Sequence, residues 1–128
     1  MNILLVEDMN SVRAIMKCCL ERYGVCNVAV NGKEAVEAVK NAIEKNEHYD
    51  FICLDITMPI MTGLEALKEI REMEKNANVA KSKIIMTTGN YDAQSISEAN
   101  RNGCDGYFIK PVSKGAIERK LKEFELIK

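Results

Sequence analysis

Phe51-Ile52-Cys53-Leu54-Asp55-Ile56-Thr57-Met58-Pro59 is the stretch that decides the fold. Its first four residues form an apolar run that is short, does not alternate and contains an aromatic. Such a run reads as a strand buried on both faces, the kind found in parallel sheets covered by helices. Asp55 closes it, at the carboxyl tip where open α/β sheets place their chemistry. Upstream, Ile3-Leu4-Leu5-Val6 is a second run of the same kind, and it also ends in acids, Glu7 and Asp8. If the two strands are neighbours, Glu7, Asp8 and Asp55 converge in one crevice. Such a cluster repels itself unless a cation sits among the oxygens. The sequence therefore predicts a divalent-metal site built around Asp55.

The rest of the chain repeats the strand-then-helix unit. After the first strand, Val12, Ile15, Met16, Cys19, Leu20 and Tyr23 share one helical face, and Gly24 ends the helix. Val25–Val30 reads as a short strand. Asn31-Gly32-Lys33-Glu34 has the form of a capping box, opening a helix whose apolar side carries Val36, Val39 and Ile43. Thr62-Gly63-Leu64-Glu65 is a second capping box, followed by Leu64, Leu67 and Ile70. Lys83–Thr88 is a fourth strand, and a polar helix is expected from about Asp92 to Asn102. Gly103-Cys104-Asp105-Gly106 turns into a short fifth strand, Tyr107–Ile109. Ser113 caps a last helix that buries Ile117, Leu121 and Phe124. Five βα units imply a doubly wound parallel sheet with helices on both faces.

Composition narrows the class. A chain of 128 residues, 47% hydrophobic and 29% charged, can bury one sizeable core. Net charge is −1, and no polybasic block points to nucleic acid. No apolar stretch is long enough to span a membrane, and Met1-Asn2 runs straight into a strand rather than a secretory signal. Cys18, Cys19, Cys26, Cys53 and Cys104 form no CxxC pair and no zinc spacing. They read as reduced thiols filling a cytoplasmic core. His48, in the polar loop Asn46-Glu47-His48-Tyr49, reads as an exposed loop residue. The expectation is a single domain over 1–128 with no output domain, in the cytoplasm.

Three further residues fall near the same sheet edge as the acids. Thr88 ends the fourth strand, Lys110 follows the fifth and precedes Pro111, and Tyr107 lies three residues before Lys110. Glu7-Asp8, the run Asp55 to Gly63, Thr88 and Gly106-Tyr107-Phe108-Ile109-Lys110-Pro111 occur in the order and spacing of one family. Over its full length the chain resembles the receiver domain of two-component response regulators, in the stand-alone, CheY-like form. The resemblance implies a flavodoxin-like (βα)5 fold with strand order 2-1-3-4-5. It also implies a signalling switch rather than a turnover enzyme. Asp55 would accept a phosphoryl group as a carboxylate nucleophile. Glu7, Asp8, Asp55 and the backbone carbonyl of Thr57 would hold Mg²⁺ or Mn²⁺. Lys110 and Thr88 would contact phosphoryl oxygens, Thr88 and Tyr107 would form the switch, and Thr57 and Asn90 would set the lifetime of the phosphate.

The implied phosphodonor is a sensor histidine kinase or a phosphotransfer protein. The implied output is a protein target read through helix four, strand five and helix five, in chemotaxis or a phosphorelay. A monomer is expected, with no nucleic-acid or membrane partner. A receiver cut from a larger regulator or hybrid kinase is the alternative. Two departures from the commonest pattern stand out: Glu7-Asp8 replaces two aspartates, and Gly89 follows Thr88 where alanine is usual. Gly89 is expected to let the backbone approach the phosphoryl group closely. Two other classes fit worse. A haloacid-dehalogenase-type phosphohydrolase needs a second aspartate two residues after the nucleophile, where this chain has Thr57. A flavin-binding module needs a Ser/Thr/Gly-rich phosphate loop after strand one, where this chain has acids.

Overall fold

The computed structural model describes residues 1–89 and 93–128. Strands β1 (Asn2–Val6), β2 (Val25–Ala29), β3 (Phe51–Asp55), β4 (Lys83–Thr88) and β5 (Gly106–Ile109) alternate with five helices. These are α1 (Asn10–Leu20), α2 (Gly32–Glu44), α3 (Gly63–Ala77), α4 (Ala93–Arg101) and α5 (Lys114–Glu123). All strand pairings are parallel, in the order β2-β1-β3-β4-β5. This is the expected doubly wound, flavodoxin-like sheet.

The unalternating runs are explained by two cores, one on each face. Side chains two apart on a strand share a face. Leu4, Val6, Ile52, Leu54, Ile84 and Met86 pack on one side with Val39 of α2 and Leu67 and Ile70 of α3. Ile3, Leu5, Phe51, Cys53, Ile85 and Phe108 pack on the other with Met16 and Leu20 of α1 and Ile117 and Leu121 of α5. With both faces covered, the positions from Ile3 to Val6 and from Phe51 to Leu54 stay apolar until the acids at the tip.

Helix starts follow the local chemistry. Thr62 closes a full capping box with Glu65. Asn31 accepts from the Glu34 amide at 2.9 Å, but the Glu34 carboxylate reaches back to the Val30 amide rather than to that of Asn31. Ser113 caps α5 by accepting from the Ala116 amide at 3.1 Å.

Three expectations are corrected. Ile15, assigned to the buried face of α1, is 64% exposed. The buried face of α1 is carried by Met16, Cys19 and Leu20. Cys18 is exposed and Cys104 only half-buried, so the thiols are not uniformly core; all five are free. His48 is not a solvated loop residue. Its Nε2 lies 2.6 Å from Oε2 of Glu74, whose side chain is 1% exposed.

That pair belongs to a network at the end of the sheet where the strands begin. Glu74 also accepts from the Ser82 amide and hydroxyl at 2.8 and 2.9 Å. Arg71 donates to Glu74 at 2.6 Å, to Asp105 at 2.9 Å, and to the carbonyls of Ser82 and Gly103, each at 2.9 Å. Burial alone would push the Glu74 carboxyl up. The hydrogen bonds from His48, Ser82 and Arg71 outweigh it and hold the group at about 2. The network ties α3 to the approaches of β3, β4 and β5.

Candidate functional site

The acids meet because β1 and β3 are adjacent and in register, with Val6 beside Leu54. The next residues along both strands, Glu7 and Asp55, therefore leave the sheet side by side. Glu7 is 0% and Asp55 3% exposed, while Asp8 is the least buried of the three. One ligand atom from each of Glu7, Asp8 and Asp55 lies within 4.8 Å of the others. The convergence read from the two strand tips is what the fold produces.

Lys110 reaches the cluster from the far edge of β5. Its amide donates to the Thr88 carbonyl at 2.8 Å, which fixes the backbone just beyond the strand. Its ammonium lies 3.0 Å from Asp55 Oδ2 and 2.7 Å from Glu7 Oε1. Burial alone would lower the lysine, but the bonds to Glu7 and Asp55 prevail and raise it, so it stays a cation. Asp55 is pushed up to about 6. Burial is the main cause; the Lys110 hydrogen bond opposes it, and the nearby charge of Glu7 adds to it. The Thr57 amide donates to Asp55 Oδ1 at 3.3 Å, and the Met9 amide to Glu7 Oε2 at 3.1 Å.

The β3–α3 connection is held from below. Gly63 donates to the Ile56 carbonyl at 2.9 Å. A Cβ at Gly63 would lie 2.0 Å from the Asp55 carbonyl oxygen, so only glycine permits this approach. The sequence marked Gly63 as part of a capping box, and its packing under Asp55 is an additional role.

Asp8, Asp55, Thr57, Thr88, Gly89 and Lys110 line an open cleft of about 510 Å³, joined by Met9, Ile56 and Ser95. Ser95, in the first turn of α4, was not singled out from the sequence, because a lone serine in a polar helix carries no distinguishing signal. Arg13 was missed too: it donates to the Glu7 carbonyl at 2.9 Å and so braces the loop after β1. Thr88 is half-buried at the cleft wall. Tyr107, beside Met86 in the β4–β5 register, is 39% exposed and lies outside the cleft lining. Asn90 falls outside the described residues. A Cβ at Gly89 would meet nothing within 4 Å, so close packing is not what places glycine there.

The donor set fits a small hard divalent cation. Three carboxylates face a single ammonium, which leaves excess negative charge, and Lys110 divides its ammonium between Glu7 Oε1 and Asp55 Oδ2. All available ligands are oxygens, the preference of Mg²⁺, and the open cleft leaves room for water and for an anion.

Comparison with known proteins agrees with this geometry. The family model of the response regulator receiver domain matches residues 3–122, and the chain belongs to that family. The chain is 34% identical to a chemotaxis protein CheY of Halobacterium salinarum, over 90% of this chain and 88% of that one. Among solved structures it resembles the yeast receiver domain of Ssk1, co-crystallised with the histidine phosphotransfer signalling protein Ypd1. There the identity is 30% and the TM-score 0.82, covering 96% of this chain and 87% of that one. It also resembles the Borrelia burgdorferi CheX–CheY–BeF3–Mg²⁺ complex, with 26% identity and a TM-score of 0.80 over 99% and 90% of the two chains. No helix among the described residues is long and apolar enough to cross a membrane.

Proposed function

We propose that this receiver is a phosphorylation-activated switch in which Asp55 accepts the phosphoryl group. The observation that carries the reading is the placement of one buried carboxylate against Lys110 at 3.0 Å, with Glu7 and Asp8 close by. An anionic nucleophile attacking an anionic phosphoryl group is repelled, and this site supplies the positive charge to offset that. Lys110 already sits on Asp55, so it needs little movement to reach an oxygen of the incoming group. The Thr88 hydroxyl, at the cleft wall, donates to another. Such positioning and electrostatics supply most of what phosphoryl transfer requires.

Asp8, Asp55, Glu7 and the Thr57 carbonyl are the residues that would hold Mg²⁺, or Mn²⁺ in its place. When bound, the ion neutralises the acids and the transferring oxygens. Thr57, exposed in the lining of the cleft, would control water reaching Asp55, and with it the lifetime of the phosphate; the resemblance to receivers gives Asn90 the same role.

The donor is a histidine kinase or a phosphotransfer protein, as the likeness to the Ypd1-bound receiver supports. The output is a protein target contacted through α4, β5 and α5. We place the protein in the cytoplasm as a monomer, catalysing only its own phosphorylation and dephosphorylation. Incubation with acetyl phosphate and Mg²⁺, read by intact mass, tests the assignment. The expected result is one added phosphoryl group on the wild type and none on Asp55→Asn. Phosphate on the variant, or full phosphorylation in EDTA, would overturn it.

A further inference from the structure

The acid cleft occupies only one end of the sheet. The opposite end carries a second cleft, of about 570 Å³, between the C-terminal halves of α3 and α4 and the loop leading to β4. Its rim is basic. Lys68, Lys75, Lys81 and Arg101 line it and all are exposed, while Arg71 forms part of its floor. Lys68, Arg71 and Lys75 are spaced three and four apart, which sets them on one face of α3. The only acid in the lining is Glu74, which is buried and already bonded to Arg71, His48 and Ser82.

This charge is not neutralised locally. Among the described residues, none of Lys68, Lys75, Lys81 and Arg101 forms an ion pair, whereas Lys110, Lys120 and Lys122 all do. The chain as a whole carries −1, so the cleft is a local reversal of sign. Cations in the last turn of a helix complement its dipole, which accounts for Lys75 and Arg101. It does not account for Lys68, two turns earlier, or Lys81, beyond the helix.

The backbone around the cleft selects among anions. Phosphate sites are usually built from converging N–H groups at helix N-termini. Here α3 and α4 both end, so the negative ends of two helix dipoles face the cleft and disfavour a compact, highly charged phosphate. No aromatic side chain lines the cleft to stack a nucleobase. A peptide carrying carboxylates satisfies both features: its acids are spread out to meet the four exposed cations one by one, and it needs no stacking partner. We propose that this cleft docks an acidic segment of a partner protein, independently of the phosphoryl site.

The inference is tested on the full chain with a fluorescent synthetic peptide of Asp, Glu, Ser and Gly, followed by anisotropy and by amide NMR shifts at low ionic strength. Saturable binding is expected, with shifts confined to residues 68–81 and 101–103. Lys68→Glu with Lys81→Glu should weaken it at least about tenfold, and glutamine at both positions by less, as expected for long-range charge complementarity. Lys40→Glu with Lys45→Glu, exposed on the other side of α3 from the cleft, should leave it unchanged. Asp55→Asn should bind the peptide as the wild type does, so a failure of the phosphoacceptor assignment leaves this result standing, and the reverse. Shifts scattered over all lysines, equal binding of a neutral Ser/Gly peptide, tighter binding of inorganic polyphosphate at the same residues, or undiminished affinity in the Lys68/Lys81 variants would each overturn the proposal.

Discussion

At the scale of the residue, two of the buried acids, Asp55 and Glu74, are in opposite situations. Asp55 is raised because burial exceeds the help it receives, and Glu74 is lowered because its partners exceed the burial. An unsettled carboxylate suits a group that must react or bind an ion, and an over-satisfied one suits a structural anchor. The consequence for Glu74 is measurable. Its pKa falls from 4.5 to about 2 on folding, so its ionised form is favoured by the native state. The stability it contributes is fully present above pH 4.5 and is lost as pH falls toward about 2. Glu74→Gln replaces an acceptor for the donors of His48, Ser82 and Arg71 with a group that itself donates. We expect this variant to lose about 3 kcal/mol at neutral pH, the scale for breaking a buried ion pair from one side. Urea unfolding of both proteins across acid pH should show the gap closing as the pH drops; a constant gap would contradict the assignment. This pair is not legible from residue order: His48 and Glu74 are 26 positions apart, and nothing in a polar loop or a helix distinguishes them until the fold brings them within 2.6 Å.

At the scale of the element, local signals were legible where the chemistry is local. The Thr62–Glu65 box and the Ser113 cap depend on residues three apart, so short-range pattern suffices to find them. Exposure of Ile15 was not legible, because helical periodicity reports which residues share a face but not how far the neighbouring elements extend over it. The β3–α3 connection combines both kinds of information. Gly63 was readable as the first residue of a helix, yet its tight contact with the Asp55 carbonyl is a matter of packing. Gly63→Ala would force its Cβ against the Asp55 carbonyl oxygen at 2.0 Å, backbone with no flexible side chain to yield. The loop must shift, taking the amide of Thr57 away from Asp55 and moving the Asp55 carboxylate relative to Lys110. A loss of about 3 kcal/mol is expected, in the range of overpacked cores, together with slower phosphorylation by acetyl phosphate. Gly89→Ala, whose Cβ meets open space, is the matched control and should change neither by much.

At the scale of the whole molecule, topology and site were legible together because they have one cause. In a parallel sheet every strand delivers its C-terminal residue to the same edge, so acids, threonine and lysine at strand tips must gather wherever the strand order makes neighbours. What such placement does not reveal is how the site speaks to a distant surface. Thr88 stands half-buried at the cleft and Tyr107 is exposed on the adjacent strand β5, with Met86 beside it in register. In the switch we propose, a phosphoryl group would draw the Thr88 hydroxyl toward Asp55 and free volume next to β5. Tyr107 would then turn inward and alter the surface formed by α4, β5 and α5. The phosphate does not have to create this packing, only to favour it over the outward one. Moving a minor state to dominance takes roughly 3–5 kcal/mol, which one or two charge-assisted hydrogen bonds can supply. Beryllofluoride with Mg²⁺ should therefore produce amide shifts that run from Asp55 through Thr88 to Tyr107 and α4. In Thr88→Ala the shifts around Asp55 should remain, since Lys110 and the acids are intact, while those at Tyr107 and α4 should collapse. Distal shifts that persist in that variant would mean that the coupling runs through another path, with the α4 N-terminus and Ser95 at the cleft wall as the next segment to test.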